Sequence, residues 1–102
     1  MRFGLSEADF QTLQNLVLTP IRKKQIKIFI FGSRATGRHH QFSDIDLLLV
    51  PMSAQNLTGA ELSKIKEDIE ESRFPIKVDL VLMQDLAESY KASVLAQMLE
   101  LV

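Results

Sequence analysis

A chain of 102 residues, 46% hydrophobic and 25% charged, has the make-up of one small globular domain, read here as a single domain over 1–102. The absence of cysteine excludes structural disulfides and thiolate metal sites. No apolar run approaches the roughly 20 residues needed to cross a bilayer, and acids in MRFGLSEADF stand where a signal peptide needs an apolar core, so a cytoplasmic protein without a membrane partner is expected.

The net charge of −1 is unevenly spread. No Asp or Glu lies between Phe10 and Ser43, a span that carries Arg22, Lys23, Lys24, Lys27, Arg34 and Arg38. Such a span suits phosphates or an acidic partner, and equally a solvated lysine-rich loop at Arg22 to Lys24. The chain as a whole is not basic, so no direct nucleic-acid binding is expected.

In chain order, Ser6-Glu7-Ala8-Asp9 reads as a capping box opening a helix, with Leu5 and Phe10 at staple positions. Phe10, Leu13, Leu16 and Val17 form its buried stripe, and Pro20 is expected to close it. Gln25 to Phe31 is β-branched and aromatic, hence a strand. Gly32 and Gly37 bracket a turn or a helical turn. Asp44 to Val50 is a near-continuous apolar strand, the pattern of one buried on both faces, and Pro51 ends it. Thr58-Gly59-Ala60-Glu61 is a second capping box; Leu62, Ile65 and Ile69 follow as a helical stripe. Pro75 drives Phe74 out of the helix. Ile76 to Met83 is a third strand. Asp85 and Glu88 suggest a final cap, before a helix carrying Leu86, Tyr90, Val94, Met98 and Leu101.

The order α-β-turn-β-α-β-α predicts an α/β fold, a small mixed sheet flanked by helices. About a dozen residues between the first two strands favour an antiparallel pair. A helix between the second and third favours a parallel one.

The chemistry gathers in GSRATGRHHQFSDID, Gly32 to Asp46. Side chains alternate along a strand, so Asp44 and Asp46 share a face. Two like charges side by side repel, and a divalent cation removes that repulsion. Mg²⁺ takes one or two carboxylates plus substrate phosphates. Asp79, within KVDLVLM, comes close if its strand lies beside the second, as a base or a further ligand. Gly32 lets the backbone approach phosphate. Ser33 offers a hydroxyl and an amide, and as the opening residue of a short helix it favours an anion. No G-K-[ST] and no G-x-G-x-x-G is present. Ser33 has no base that would make it a covalent nucleophile. His39 and His40 read as exposed loop residues rather than ligands.

Gly-Ser, ten residues, then Asp-x-Asp, with a later strand aspartate, resembles the signature of the DNA polymerase β-like nucleotidyltransferase superfamily. GSRATG…SDIDLLLV followed by KVDLVLM is similar to its smallest members, the minimal nucleotidyltransferases (MNT) of HEPN/MNT-type antitoxin pairs. The resemblance covers roughly residues 25 to 83. It implies transfer of a nucleoside monophosphate, AMP from ATP, to a hydroxyl with one or two Mg²⁺ ions and release of pyrophosphate. It further implies that Gly32, Ser33 and Arg34 hold phosphates, that Asp44 and Asp46 bind metal, and that Asp79 completes the catalytic and metal-binding triad. The implied partner is an all-helical HEPN protein whose tyrosine is the acceptor, bound by the terminal helix and nearby basic residues. Many members carry a second arginine where Thr36 stands, so one expected cation is missing.

Two other readings stand beside this one. The protein could neutralise its partner by complex formation without catalysis. It could modify a small molecule such as an aminoglycoside, although relatives that do so carry an added substrate domain. A surplus of apolar residues at Leu95, Met98, Leu99, Leu101 and Val102 would mark an association surface, including a homo-oligomer.

Overall fold

The computed structural model describes residues 2–53 and 57–101. Helix α1 (Glu7–Leu13) opens at Ser6, whose side chain accepts the Asp9 amide at 3.1 Å. The chain then takes a π-turn, Gln14–Leu18, and continues as α2 (Thr19–Arg22). Pro20 therefore does not close the helix. Within the π-turn the Thr19 amide reaches back to the Gln14 carbonyl, so the hydrogen-bond ladder has already shifted where proline arrives without an N–H. Leu13, Val17, Leu18 and Ile21 bury the inner face of the whole segment.

Strand β1 (Ile26–Phe31) leads into the one-turn helix α3 (Ser33–Thr36), and β2 (Ile45–Pro51) returns antiparallel to β1. Pro51 is the last residue of β2 rather than the first beyond it. Helix α4 (Gly59–Glu71) begins with both halves of the Thr58/Glu61 capping box in place. It crosses over to β3 (Val78–Leu82), parallel to β2. A 3₁₀ turn (Met83–Asp85) and helix α5 (Glu88–Gln97) follow. Ala87 occupies the N-cap of α5 without a side-chain hydrogen bond, so the cap expected from Asp85 and Glu88 is not made.

The chain end departs most from expectation. Helix α5 stops at Gln97, and Leu99–Glu100 form a fourth strand, β4, antiparallel to β1. The sheet order is β3-β2-β1-β4. Leu101 donates its amide to the Ile28 carbonyl at 2.9 Å and is buried, while its own carbonyl accepts from the Arg22 guanidinium at 2.7 Å. Leu101 thus belongs to the core beside the sheet. Leu95 and Leu99 are exposed, and Val102 lies outside the described residues.

Ile28, Ile30, Leu47, Leu49 and Leu80 share one face of the sheet and join the helices in the main core. The alternation puts Phe29, Leu48 and Val81 on the other face. Leu48 is fully buried there, which accounts for the unbroken apolar run of β2. Among the described residues no helix is long and apolar enough to cross a membrane.

Candidate active site

The register brings the acidic residues together. Phe31, Asp46 and Asp79 are direct partners across β1, β2 and β3, so their side chains leave the same face of the sheet. That is the face opposite the main core, at the end of β1 where the chain turns into α3. Asp44 precedes β2 and is exposed. Among the described residues, no group of three or more His, Cys, Asp or Glu is arranged to hold a metal ion. Asp46 and Asp79 are direct cross-strand partners, and the charge of Asp44, two residues before Asp46, also acts on Asp46.

Burial raises the Asp46 carboxyl above its ordinary value. The charges of Asp79 and Asp44 and a hydrogen bond to Asp79 push it the same way, and only Lys77 opposes them. The Lys77 Nζ lies 3.7 Å from Asp79 Oδ1, a largely exposed ion pair of small energetic weight. An acidic site with too little positive charge around it suits a divalent cation, which would satisfy both carboxylates. Two carboxylates plus substrate phosphates is a usual Mg²⁺ ligand set.

Gly32 is fitted to this pair. Its φ of 77° and ψ of −155° fall where essentially only glycine is found. A Cβ there would lie 2.5 Å from Asp46 Oδ2. The bend and the carboxylate are thus in van der Waals contact, as expected from the meeting of the end of β1 with the start of β2. Ser33 begins α3 next to this contact, and the Ala35 and Thr36 amides both close onto the Gly32 carbonyl. A cavity of about 640 Å³ opens beside Asp46 and Asp79, with Phe31, Lys66, Val81 and Tyr90 in its lining.

Arg34 is placed otherwise than expected. Among the described residues it is the one buried charged side chain, 2% exposed. Its guanidinium donates to the carbonyls of Ser43 at 3.0 Å, Phe3 at 2.8 Å and Gln41 at 3.1 Å. Arginine suits this post because its planar fork serves several acceptors at once and stays charged. The side chain ties the N-terminal segment to the loop that delivers Asp44, and it is turned away from the phosphate contact foreseen for it. His39, foreseen as exposed, is half-buried against Gly4, and its Nδ1 has no hydrogen-bond partner. His40 is exposed and accepts the Phe42 amide on its Nδ1 at 3.3 Å. Of the basic cluster, Arg22 is used at Leu101 and Lys24 pairs with Glu61 of α4.

The sequence profile of the polymerase β nucleotidyltransferase family matches residues 17–102. The chain belongs to this family. No curated protein matches it in sequence. Among solved structures, a toxin–antitoxin crystallised with AMP-PNP superposes with a TM-score of 0.64 at 21% identity, over 85% of this chain and 70% of that one. A mutant of the toxin–antitoxin MntA-HpeT gives 0.63 at 19%, with the same coverage of each chain. The complex of a tri-AMPylated Shewanella oneidensis HEPN toxin with MNT antitoxin gives 0.58 at 18%, over 88% and 69%. At these identities the structures establish a shared nucleotidyltransferase fold. Within that fold the Gly-Ser bend and the Asp46–Asp79 pair are this chain's own residues at the end of β1 and on the neighbouring strands.

Proposed function

We propose that this protein is a minimal nucleotidyltransferase that moves AMP from Mg²⁺-bound ATP to a hydroxyl acceptor, a tyrosine on a HEPN-type partner. The observation that carries the reading is the Asp46–Asp79 register with Gly32 opened against Asp46. A strand carboxylate kept half-buried beside a second one, as Asp46 is beside Asp79, has no structural purpose of its own, and the glycine bend leaves room for phosphate beside it. The fold neighbours from complexes with AMP-PNP and with an AMPylated HEPN toxin support the choice of nucleotide and partner.

In this reading Gly32 and Ser33 hold the phosphates through the backbone and the Ser33 hydroxyl. Asp46 and Asp44 hold the divalent ion, which when bound offsets the charge of the triphosphate. Asp79 accepts the proton of the incoming hydroxyl as that oxygen bonds to the α-phosphorus and pyrophosphate leaves. Arg34 fixes the 41–43 backbone and so the position of Asp44. The rate comes from positioning and electrostatics, as in phosphoryl transfers generally.

Neutralisation of the partner by binding alone is the second reading, favoured by the lack of a group of three or more metal-ligating side chains among the described residues. Incubation with labelled ATP, Mg²⁺ and the HEPN-type protein separates the two. Labelled AMP on a partner tyrosine, lost in Asp79→Asn, supports transfer. A stable unmodified complex, with neutralisation unchanged in Asp79→Asn, supports binding alone.

A further inference from the structure

The phosphate bend lacks the two cations that the sequence leads one to look for. Thr36 carries no charge where the family resemblance leads one to expect an arginine, and Arg34 is spent on three carbonyls. Asp46 and Asp79 lie close by, so a triphosphate at Gly32-Ser33 would meet negative charge with little protein charge to offset it.

Arg38 stands beside that gap. Gly37, at φ 80° and ψ 9°, reverses the chain after α3, and the Arg38 amide then donates to the Ser33 carbonyl at 2.9 Å. The reversal brings Arg38 back over the bend. With Gly32, Ser33, Thr36 and Gln97 it lines a cavity of about 440 Å³, separate from the one beside Asp79. Arg38 is exposed, and among the described residues its guanidinium makes neither an ion pair nor a hydrogen bond. We infer that Arg38 is the residue that binds the β- and γ-phosphates of the nucleotide, supplying from two positions further along the loop the charge that Thr36 does not. Its fork takes two phosphate oxygens together, which an ammonium does not.

The inference rests on the nucleotidyltransferase reading, and the experiment keeps the two apart. Binding of Mg²⁺-ATP and of AMP is measured by calorimetry for the unaltered protein, Arg38→Gln, Arg38→Lys and the double variant Arg38→Gln/Thr36→Arg. AMP lacks the outer phosphates. Arg38→Gln is expected to weaken ATP about tenfold, the scale of one charge-assisted hydrogen bond, and to leave AMP unchanged. Arg38→Lys should recover part of the loss, and Thr36→Arg most of it. Equal ATP binding by Arg38→Gln and the unaltered protein overturns the inference and leaves the reading standing. A loss shared by ATP and AMP also overturns it, by marking a structural role. Failure of the unaltered protein to bind either nucleotide overturns both.

Discussion

Three residues around the bend carry opposite accounts of stability and use. Gly32 holds a backbone conformation that a side chain would strain, and any Cβ would press on Asp46. Gly32→Ala is expected to cost about 1–3 kcal/mol, read from urea denaturation, and to lower transfer as the Asp46 carboxylate is displaced. Arg34 is the reverse case, a charged group kept for structure. Arg34→Ala would leave three carbonyls short of a donor in a buried setting, so a loss of about 3 kcal/mol is expected. Arg34→Lys should rescue little, since one ammonium cannot span the three acceptors. Asp46 opposes folding when ionised. Its pKa in the folded chain lies above the ordinary value, so the native state binds the proton more tightly than the unfolded state does. Stability of the metal-free protein should therefore rise as pH falls from the raised value towards the ordinary one. Asp46→Asn should raise the melting temperature in chelator at pH 7 while reducing transfer by about 10²-fold or more. A melting temperature that drops in chelator would mean that the carboxylate is a structural partner. The aspartates and Gly32 were legible because charge inside an apolar strand and glycine at a strand end are anomalies of composition. Arg34 and Arg38 were not, because two arginines four apart in a basic loop look alike until the burial of each is known.

At the level of elements, periodicity and capping patterns located β1 to β3 and α4 because each carries a local signal. The Thr58/Glu61 box needs no tertiary context to form. The errors share a cause, in that tertiary contacts settled a local ambiguity. Pro20 reads as a stop only if the ladder ahead of it is α-helical, and the π-turn removes that condition. Val94, Met98 and Leu101 fit a helical stripe as well as they fit a helix followed by a short strand. The free edge of β1 selects the strand by accepting the Leu101 amide on Ile28. This assignment is open to a direct test by truncating two neighbouring leucines. Leu101→Ala is expected to cost about 2–4 kcal/mol, as for a buried core leucine, and Leu99→Ala less than about 0.5 kcal/mol. Equal costs in chemical denaturation would argue against β4 as the seal on β1.

For the molecule as a whole, the fold separates the work of its two sheet faces. One face joins the helices in a single apolar cluster, and the other presents Asp46 and Asp79 at the end of the strands. The main core therefore lies on one side and the site on the other, where Leu48 is also buried, so ligand binding can add to stability without repacking the main core. The close set is a pair of carboxylates, with phosphates expected to complete the metal's ligands, which makes ion and nucleotide binding interdependent. Mg²⁺ alone should shift the melting temperature little, and ATP in chelator should also shift it little because its charge meets Asp46 and Asp79 uncompensated. Together, at about a hundred times their joint dissociation constant, they should add about 2.7 kcal/mol, or roughly 10–20 °C for a domain of this size. The shift should vanish in Asp46→Asn, whose carboxamide keeps the shape and loses the charge. A full shift from Mg²⁺ alone would show that the protein assembles a complete metal site from its own carboxylates before nucleotide arrives. The order of assembly would then be metal first, and the nucleotide would enter a site already neutralised.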